Sequence, residues 1–338
     1  MSAPSFWWRR ERSAAALALA PLARLWGASS AWRMARTPAF KAPVAVVCVG
    51  NFVLGGAGKT PTAIALAQIA KTRGFTPGFL ASGYGGQATG PRLVSSVMDK
   101  ASMVGDEPLL LAAIAPTVIG RDRAASAKRL LETGIDLIIM DDGFQNPRLA
   151  KDLSFAVVDS DVGLGNGRVF PAGPLRAPLQ PQLRRADALI VVGEGTAADP
   201  LVRSAARAGR VILRARLTPT GSMDWKKTPI LAFAGIGRPE KFYAGLAAIG
   251  APVGKTMSFA DHHRYSEADA ERLIAHADAA ALRLVTTEKD MARLAGAEGL
   301  CRQLAQSTRV LPVRLALADA DAERLMSLVA SALKAQRG

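Results

Sequence analysis

A glycine-rich loop between a buried apolar run and a helical stretch is the feature that most constrains this chain. Residues 44–49 form a short, β-rich apolar run, and residues 60–71 have helical character. The loop before the helix reads Val53-Leu54-Gly55-Gly56-Ala57-Gly58-Lys59-Thr60. In such a loop the glycine N–H groups turn towards phosphate oxygens, and the helix N-terminus adds positive potential. The strand–loop–helix context therefore predicts a phosphate-binding loop.

Two residues of this loop carry the expected chemistry. Lys59 is expected to reach the β- and γ-phosphates of a nucleotide, and the Thr60 hydroxyl to ligate Mg²⁺. Val53 stands where the usual pattern has its first glycine. A chance glycine-rich turn is the alternative interpretation, and the buried strand directly before the loop disfavours it.

An acidic motif follows a second apolar run. Residues 135–140 are apolar except for Asp136, and Asp141-Asp142-Gly143-Phe144-Gln145 comes directly after them. In nucleotide-binding proteins of this kind, a carboxylate after a buried strand holds Mg²⁺. Parallel strands bring their carboxyl ends to one edge of a sheet, so Asp141 and Asp142 are expected beside the loop. An aspartate pair after a strand is common, so this prediction depends on the loop upstream.

Strand-like and helix-like segments alternate between residues 41 and 210, which predicts an α/β fold. We expect a P-loop NTPase-like, mostly parallel sheet flanked by helices. Residues 211–217 and 311–317 have the pattern of two strands that join it to a second, smaller α/β domain. Ser266 is expected to cap a helix of that domain. Residues 320–334 predict an amphipathic helix that returns to the first domain.

The first 41 residues differ from the rest of the chain. They hold four of the five tryptophans and one acidic residue, Glu11. An Ala/Leu run covers residues 14–23, where Pro21 is expected to kink or begin a helix. This composition is typical of a helix that lies in a membrane interface. A helix packed on its own domain and a secretory signal peptide are the alternatives. The basic residues here are Arg9, Arg10, Arg12, Arg24, Arg33, Arg36 and Lys41.

Composition narrows the function classes. The formal net charge of +15 predicts an anionic partner: nucleic acid, a membrane surface or a phosphorylated substrate. No pattern typical of nucleic-acid binding accompanies the charge. Among 338 residues, 49% are hydrophobic, which excludes disorder, and two cysteines exclude a disulfide scaffold or a cysteine-based zinc site. No apolar run approaches the roughly 20 residues that span a bilayer.

Two further motifs carry titratable groups with more than one interpretation. Gly105-Asp106-Glu107-Pro108 places a carboxylate at a predicted helix start. Asp106 is either the group that accepts a hydroxyl proton in a kinase or an N-cap. Asp261-His262-His263 holds two of the three histidines. This triplet also occurs in metal phosphoesterases, whose other motifs are absent, and a hydrogen-bonded loop histidine is the alternative for either residue.

These motifs occur with others in an order that is highly specific. The stretches are Trp7-Trp8, Val49-Gly50-Asn51, Gly55-Gly56-Ala57-Gly58-Lys59-Thr60-Pro61, Ser82-Gly83-Tyr84-Gly85, Val104-Gly105-Asp106-Glu107-Pro108, Asp141-Asp142-Gly143-Phe144-Gln145, Asn166-Gly167-Arg168-Val169-Phe170-Pro171-Ala172-Gly173-Pro174-Leu175-Arg176, Phe259, Asp261-His262-His263 and Thr286-Thr287-Glu288-Lys289-Asp290. Together they resemble the tetraacyldisaccharide 4′-kinase family of lipid A biosynthesis over nearly the whole chain.

The resemblance implies transfer of the ATP γ-phosphoryl group to the 4′-hydroxyl of an acylated glucosamine disaccharide 1-phosphate. It also implies a monotopic enzyme at the anionic surface of the cytoplasmic face of the inner membrane, with no nucleic acid and no obligate protein partner. Asp106 would be the general base, supported by His262, with Lys59 and the rest of loop 53–60 holding ATP. The Mg²⁺ site would be Thr60, Asp141 and Asp142. The substrate candidates are Asn51, Tyr84, Arg121, Arg123 and Gln145.

The resulting division of the chain has four parts. Residues 1–40 are expected to form an amphipathic, membrane-associating helical segment, and residues 41–215 the P-loop ATP-binding kinase domain. Residues 216–317 are expected to form the smaller α/β domain with its two-strand linker, and residues 318–338 the C-terminal helix.

The sequence departs from the family pattern at three places. Ser82 stands where the family often has Arg, Asn146 where it often has His, and Ala177 where it often has Glu. Without that glutamate, Mg²⁺ ligation is expected to depend on Asp141, Asp142 and water. Two other functions remain open: a non-catalytic nucleotide switch, and a metal phosphoesterase built on Asp261-His262-His263.

Overall fold

The computed structural model describes residues 3–9, 11, 13–220, 225 and 227–337. Arg10 and Arg12 of the basic N-terminal set lie outside the described residues. Within the described part, the strands form a nine-stranded sheet and a four-stranded sheet. The larger sheet is mostly parallel and flanked by helices, which confirms the predicted fold class.

The secondary structure over these residues is as follows. The strands are β1 (Ala45–Gly50), β2 (Pro77–Ala81), β3 (Arg92–Leu93), β4 (Thr117–Ile119), β5 (Leu137–Asp141), β6 (Leu153–Asp159), β7 (Ala188–Val192), β8 (Val211–Pro219), β9 (Ile230–Ala234), β10 (Val253–Ser258), β11 (Arg283–Thr287), β12 (Arg309–Leu311) and β13 (Val313–Leu317). The helices are α1 (Ala14–Ala18), α2 (Ala20–Met34), α3 (Lys59–Thr72), α4 (Ala101–Val104), α5 (Asp106–Ala112), α6 (Arg123–Leu131), α7 (Leu179–Arg185), α8 (Asp199–Arg207), α9 (Pro239–Ala248), α10 (Glu267–Ala279), α11 (Glu288–Leu294), α12 (Gly299–Ser307) and α13 (Asp319–Arg337). None of these helices, in the part described, is long and apolar enough to cross a membrane.

Strand order in the larger sheet places the phosphate-loop strand at its centre. The order is β13-β8-β7-β6-β1-β5-β2-β4-β3, so β1 lies between β5 and β6. Both neighbours are parallel to β1, and Val49 is opposite Asp141. The antiparallel pairs lie at the two ends, β3 with β4 and β8 with β13. The loop after β1 and the acidic residues after β5 therefore leave the sheet at the same edge.

Helices cover both faces of the larger sheet, which explains why its central strands are apolar throughout. One core contains side chains of α3, α5 and α13 packed on the sheet, and the opposite core contains side chains of α6, α7 and α8. Helix α13 packs on β1, β6, β8 and β13. Strands β1, β5, β6 and β7 are buried at every residue.

The smaller sheet is parallel, in the order β10-β9-β11-β12. Helix α9 covers one face, and α10 and α12 cover the other. Ser266 caps α10 as predicted, in a capping box: its hydroxyl accepts the N–H of Asp269, whose carboxylate accepts the N–H of Ser266. This reciprocal pair satisfies backbone donors that the first helical turn leaves unpaired.

The stretch 311–317, predicted as one strand, is divided between the two sheets. Pro312 separates β12, which pairs with β11 in the smaller sheet, from β13, which pairs with β8 in the larger. A proline cannot donate to a strand ladder, so the chain changes partner there. The four-part division of the chain stays a prediction.

The last residue of β1 lies against the acidic motif with no room for a side chain. A Cβ at Gly50 would lie 2.4 Å from Phe144 Cβ. We expect Gly50→Ala to lower the free energy of unfolding by about 1–3 kcal/mol, the usual cost of overpacking. Gly245→Ala in α9 is the control, because a Cβ there first meets Pro219 Cγ at 3.7 Å. It should leave stability unchanged or raise it by about 0.5–1 kcal/mol. Urea unfolding measures both, and wild-type stability in Gly50→Ala would contradict the close approach.

Candidate active site

The phosphate loop is an open cradle that its neighbours hold in place. Gly55 and Gly58 have φ angles of 106° and 88°, in the left-handed region that glycine tolerates best. A Cβ added at Gly55 or Gly56 would meet nothing within 4 Å, so the loop faces open space. From below, Asn51 Nδ2 donates to the Gly55 carbonyl at 3.2 Å. The backbone is thus formed in a shape that can receive phosphate oxygens.

Val53 replaces the first glycine of the pattern because its backbone is in a strand-like contact. It forms an isolated antiparallel bridge with Leu175 and is buried in the core beneath the loop. A β-branched residue suits such a bridge, and no left-handed angle is required there.

Lys59 is the first residue of α3, and its side chain turns back into the loop. Its Nζ donates to the Gly55 carbonyl at 3.4 Å and lies 3.8 Å from Asp142 Oδ2. Burial lowers the pKa of Lys59, against the opposing effect of Asp142. The ammonium group is therefore held at the cradle rather than in solvent.

Asp141 and Thr60 offer oxygen ligands side by side. Thr60 Oγ1 donates to Asp141 Oδ2 at 2.8 Å, and Asp141 Oδ1 is buried without a hydrogen-bond partner. Burial, followed by the nearby charge of Glu107, raises the pKa of Asp141 to about 7. A buried carboxylate oxygen without a partner, next to a hydroxyl, fits the oxygen ligands that Mg²⁺ prefers.

Asp142 is already paired in this structure, with Arg176. The guanidinium contacts both carboxylate oxygens, Nη1 to Oδ1 at 2.9 Å and Nη2 to Oδ2 at 3.0 Å, while its Nε donates to the Val53 carbonyl at 2.9 Å. Burial acts to raise the pKa of Asp142, but Arg176 and then Lys59 outweigh it and lower the pKa to about 2. Arg176 thus joins the acidic motif to the phosphate loop. Its place in the Pro-Leu-Arg stretch was the only sequence signal for that contact.

Asp106 lies at the junction of the two sheets. It begins α5, is 4% exposed, and its Oδ2 lies 3.4 Å from His262 Nδ1. The same oxygen accepts hydrogen bonds from Arg293 on α11, one of them from Nε at 2.9 Å. Burial acts to raise the pKa of Asp106, but the His262 hydrogen bond and the Arg293 charge hold it well below its usual range. The hydrogen bond to Asp106 also raises the pKa of His262.

The structure distinguishes between the alternatives for the acid and the two histidines. Gly105 rather than Asp106 occupies the N-cap position of α5, and among the described residues Asp106 Oδ1 accepts only the adjacent N–H of Glu107, at 3.0 Å. The N-cap interpretation of Asp106 is therefore wrong. His263 is the hydrogen-bonded loop histidine, with Nε2 3.0 Å from Asp269 Oδ2 and its ring stacked on Phe259.

Three of the substrate candidates lie near the site, in different ways. Tyr84 is 70% exposed, and its ring centroid is 5.4 Å from that of His262. Gln145 Nε2 donates to the Asn51 carbonyl at 2.8 Å and to Gln182 Oε1 at 2.9 Å. Asn51 itself is buried beneath the loop.

The two arginine candidates differ in exposure. Arg121 is exposed and lines a cavity of about 730 Å³. Arg123 is buried, and its guanidinium donates to the carbonyls of Ala81 and Gly120. In this structure Arg123 therefore supports the backbone at the ends of β2 and β4 and does not line that cavity.

The cavity that Arg121 lines is strongly basic. Five arginines and one aspartate contribute to its wall. A second, more apolar cavity of about 410 Å³ shares Arg33, Gln145 and Arg176 with it. The basic cavity is lined by Arg33, Arg36, Thr37, Ala39, Arg121, Asp142, Gln145, Asn146, Pro147, Arg148 and Arg176. The apolar cavity is lined by Trp26, Ser30, Arg33, Leu54, Gln145, Phe170 and Arg176.

A phosphoesterase centre on Asp261-His262-His263 lacks support. In the part of the chain that the structure describes, no three His, Cys, Asp or Glu side chains gather as metal ligands would. His262 is directed to Asp106 and His263 to Asp269, in different directions.

Comparison with known proteins shows the family of this chain. The family model described as LpxK, tetraacyldisaccharide-1-P 4′-kinase, matches residues 15–334. A tetraacyldisaccharide 4′-kinase of Methylobacterium sp. (strain 4-46) is 49% identical over 340 residues, covering 100% of both chains. The same enzyme of Chelativorans sp. (strain BNC1) is 51% identical over 311 residues, covering 92% of this chain and 90% of its own.

A solved structure has the same fold. It is LpxK from Aquifex aeolicus in complex with ATP, with a TM-score of 0.72 and 26% sequence identity, covering 94% of this chain and 99% of its own. The predicted resemblance is thereby confirmed. Since one family model covers nearly the whole chain and full-length relatives share about half of its residues, the chain belongs to the tetraacyldisaccharide-1-phosphate 4′-kinase (LpxK) family.

Proposed function

We propose that this chain transfers the γ-phosphoryl group of ATP to the 4′-hydroxyl of tetraacyldisaccharide 1-phosphate. Family membership supplies the acceptor, and one observation carries the chemistry. Asp106, paired with His262, lies at the junction of the sheets at the start of α5, and α5 packs on α3, the helix that follows the phosphate loop. A base that can accept a hydroxyl proton, next to a phosphate-binding loop, is the arrangement found in kinases.

The phosphate loop would hold the nucleotide. The N–H groups of residues 55–58 and the α3 N-terminus would contact phosphate oxygens, and Lys59 would neutralise charge on the β- and γ-phosphates. Mg²⁺, held by Asp141 and Thr60, would supply further charge neutralisation on the triphosphate. Arg176 keeps Asp142 charged and fixed against the loop, so we propose that Asp142 acts around the metal rather than as its first ligand.

Asp106 would accept the acceptor's proton. As the 4′-oxygen bonds to the γ-phosphorus, the bond from that phosphorus to the β–γ bridging oxygen breaks, and ADP leaves. The hydroxyl proton moves to the Asp106 carboxylate, which His262 orients from the smaller sheet. Positioning of the reacting groups contributes most to the rate, because phosphoryl transfer of this type requires little covalent catalysis by the protein.

The basic cavity offers a place for the anionic end of the acceptor. Among the described residues, its wall contains five arginines, Arg121 and Arg148 among them, and one acidic residue, Asp142. Arginine binds phosphate oxygens in a forked geometry, so this wall suits a sugar phosphate. The apolar cavity beside it would accommodate part of an acyl chain.

A single assay separates the proposal from its rivals. Purified full-length chain is incubated with ATP, Mg²⁺ and micellar tetraacyldisaccharide 1-phosphate, and products are analysed by mass. We expect a gain of one phosphate in the lipid and one ADP per lipid product. ATP turnover that ignores the acceptor would favour a nucleotide switch, and phosphate released from the lipid without ATP would favour a phosphoesterase.

Lys59→Ala tests the phosphate cradle. The change removes the buried ammonium group, so we expect kcat to fall on the order of 10²- to 10³-fold, as when one preorganised charge partner is lost. Lys71→Ala, near the exposed end of the same helix, is the matched control and should retain wild-type kcat. Steady-state kinetics measures kcat for both variants, and equal melting temperatures show that both are folded. Wild-type turnover in folded Lys59→Ala protein would remove the basis for this site.

The N-terminal helix has two different faces. One face packs against the protein, and most of its side chains are small. Its buried residues are Ala23, Gly27, Ser30 and Met34. The other presents large apolar side chains to solvent; they are Leu22, Leu25, Trp26 and Trp32. Pro21 lies in the first turn of α2, so it begins the helix as predicted. Of the three interpretations of this segment, packing on its own domain is supported by the buried face, and the exposed face supports membrane contact.

We propose that the exposed face of α2 lies in an anionic membrane surface, on the cytoplasmic face of the inner membrane. Arg24, Arg33 and Arg36 are exposed around it, and the Arg36 guanidinium lies 3.9 Å from the Trp32 ring centroid. Apolar side chains flanked by arginine suit the boundary between acyl chains and anionic head groups. The apolar cavity is lined by Trp26 of the same helix, so an acyl chain would pass from membrane to site at this place.

Leu25→Ser combined with Trp32→Ser tests the membrane face. Each exposed side chain is expected to contribute about 1.5–3 kcal/mol on insertion, so the pair should weaken vesicle binding by roughly 10²-fold or more. Val97→Ser, which removes an 87% exposed apolar side chain from a turn outside α2, is the control and should bind as wild type. Co-sedimentation with phosphatidylglycerol-containing vesicles measures both. Unchanged binding of the double variant would place the membrane contact elsewhere.

A further inference from the structure

Two charge pairs join α11, which packs with the smaller sheet, to α5, which packs on the larger sheet. Lys289 Nζ lies 2.5 Å from Glu107 Oε1, and Arg293 contacts Asp106 Oδ2. Lys289 and Arg293 are four residues apart, so they lie on one face of α11, opposite consecutive acids on α5. The Thr286-Thr287-Glu288-Lys289-Asp290 stretch, which received no role from the sequence, begins this face.

All three nitrogens of the Arg293 guanidinium are engaged. Nε and Nη2 both donate to Asp106 Oδ2, and Nη1 donates to the Gly235 carbonyl at 2.6 Å and to Asp290 Oδ1 at 2.7 Å. The side chain is 6% exposed. Arginine is suited to such a fixed fork, because its planar group cannot lose its proton in the protein.

Asp290 holds Arg293 from the opposite side. It is fully buried and accepts hydrogen bonds from Tyr265 Oη at 2.9 Å and Thr287 Oγ1 at 2.6 Å. The Gly235 N–H donates to the same carboxylate at 3.0 Å. A chain of contacts thus runs from the core of the smaller sheet through Arg293 to the carboxylate of the proposed base.

We infer that Arg293 is a positioning residue for Asp106: its forked hydrogen bonds fix Oδ2 beside His262, in place for the acceptor hydroxyl. This inference rests on the proposed function. The smaller sheet then contributes both partners of the base: His262 from the loop after β10 and Arg293 from α11. A purely structural strut would hold the sheets together without affecting the proton affinity of Asp106.

The pH dependence of kcat/KM distinguishes a positioning role of Arg293 from a purely structural role, because it reports the pKa values of essential groups in the free enzyme. The groups that face Asp106 are Glu107 on α5, Lys289 and Arg293 on α11, and His262 on its loop. Arg293 lowers the pKa of Asp106, so its loss must raise that pKa. A base must be ionised, and the acidic limb of the profile should therefore move to higher pH.

The test compares Arg293→Gln with Arg293→Lys in the full-length chain. In Arg293→Gln we expect the acidic limb to move up by about 1–3 pH units, the usual effect of a neighbouring arginine on an aspartate. We expect kcat to fall by roughly 10²-fold as the carboxylate loses its fixed position. Arg293→Lys keeps the charge and loses the fork, so kcat should fall while the limb stays near its wild-type pH.

Arg272→Gln is the matched control. Arg272 also pairs with an aspartate three residues before it, Asp269, but lies 54% exposed on α10. It should have the wild-type profile. In an Asp106→Asn background, Arg293→Gln should cause no further loss of kcat, because its effect passes through Asp106.

Each possible outcome supports or overturns the inference. An unmoved limb in folded Arg293→Gln protein, or an undiminished Arg293 effect in the Asp106→Asn background, would overturn the inference. If Arg293→Gln does not fold, the Arg293→Lys effect is measured in that background, where its disappearance supports the inference and its persistence overturns it. Wild-type protein without acceptor-dependent turnover would instead overturn the proposed function, and this inference with it.

Discussion

The parallel pairing of β1 with β5 is the constraint on which the rest of the site depends. Val49 lies opposite Asp141 in that pairing, so the loop after one strand and the acids after the other begin at the same level. The 2.8 Å hydrogen bond from Thr60 to Asp141 follows from this register. A shift of one residue would turn the alternate side chains of β5 to the other face and separate the two ligands. The helices on both sheet faces keep the register in place by burying every residue of both strands.

The smaller sheet completes the site across a charged boundary. Besides the pairs on α5, Arg238 and Lys241 contact Asp159 at the end of β6, at 2.8 and 2.6 Å. Part of the chain's basic excess therefore lies opposite carboxylates of its own larger sheet. Such pairs are worth most where they are buried and forked, as at Asp106, and little where they are exposed. The buried, forked pair at Asp106 therefore holds that carboxylate in place, whereas exposed pairs at this boundary add little to stability.

Local sequence predicted the parts of the site whose chemistry depends on neighbours in the chain. Short sequence patterns of a few residues predict the phosphate loop, the acids after β5 and the Ser266 cap. The contacts that depend on tertiary structure could not be predicted in that way. Arg293 is an ordinary basic residue in the sequence, and the Pro-Leu-Arg stretch does not indicate which residue Arg176 contacts. The fold brings them to Asp106 and Asp142. Arg123 was expected at a lipid head group, but the ends of β2 and β4 enclose it.

The same distinction applies to the fold. The two strands beside the site were predicted within two residues of their observed ends, β1 from residues 44–49 and β5 from residues 135–140, because both of their faces are buried. Strand β10 was not predicted, since Val253–Ser258 is a polar, largely exposed sequence at the edge of its sheet. Pro312 divides one apparent strand between two sheets, and no local pattern states which sheet each half will join.

The central claim is that the acceptor loses its proton to a base assembled from both sheets, and a double-mutant cycle on kcat tests it most directly. Asp106→Ala should cost on the order of 10² to 10⁴, the range for a positioned base, and His262→Ala somewhat less. The double variant should be far less impaired than the product of the two losses, because residues that act as one unit are not additive. His263→Ala should be close to wild type. Multiplicative losses at Asp106 and His262, or a crippled His263 variant, would contradict the account.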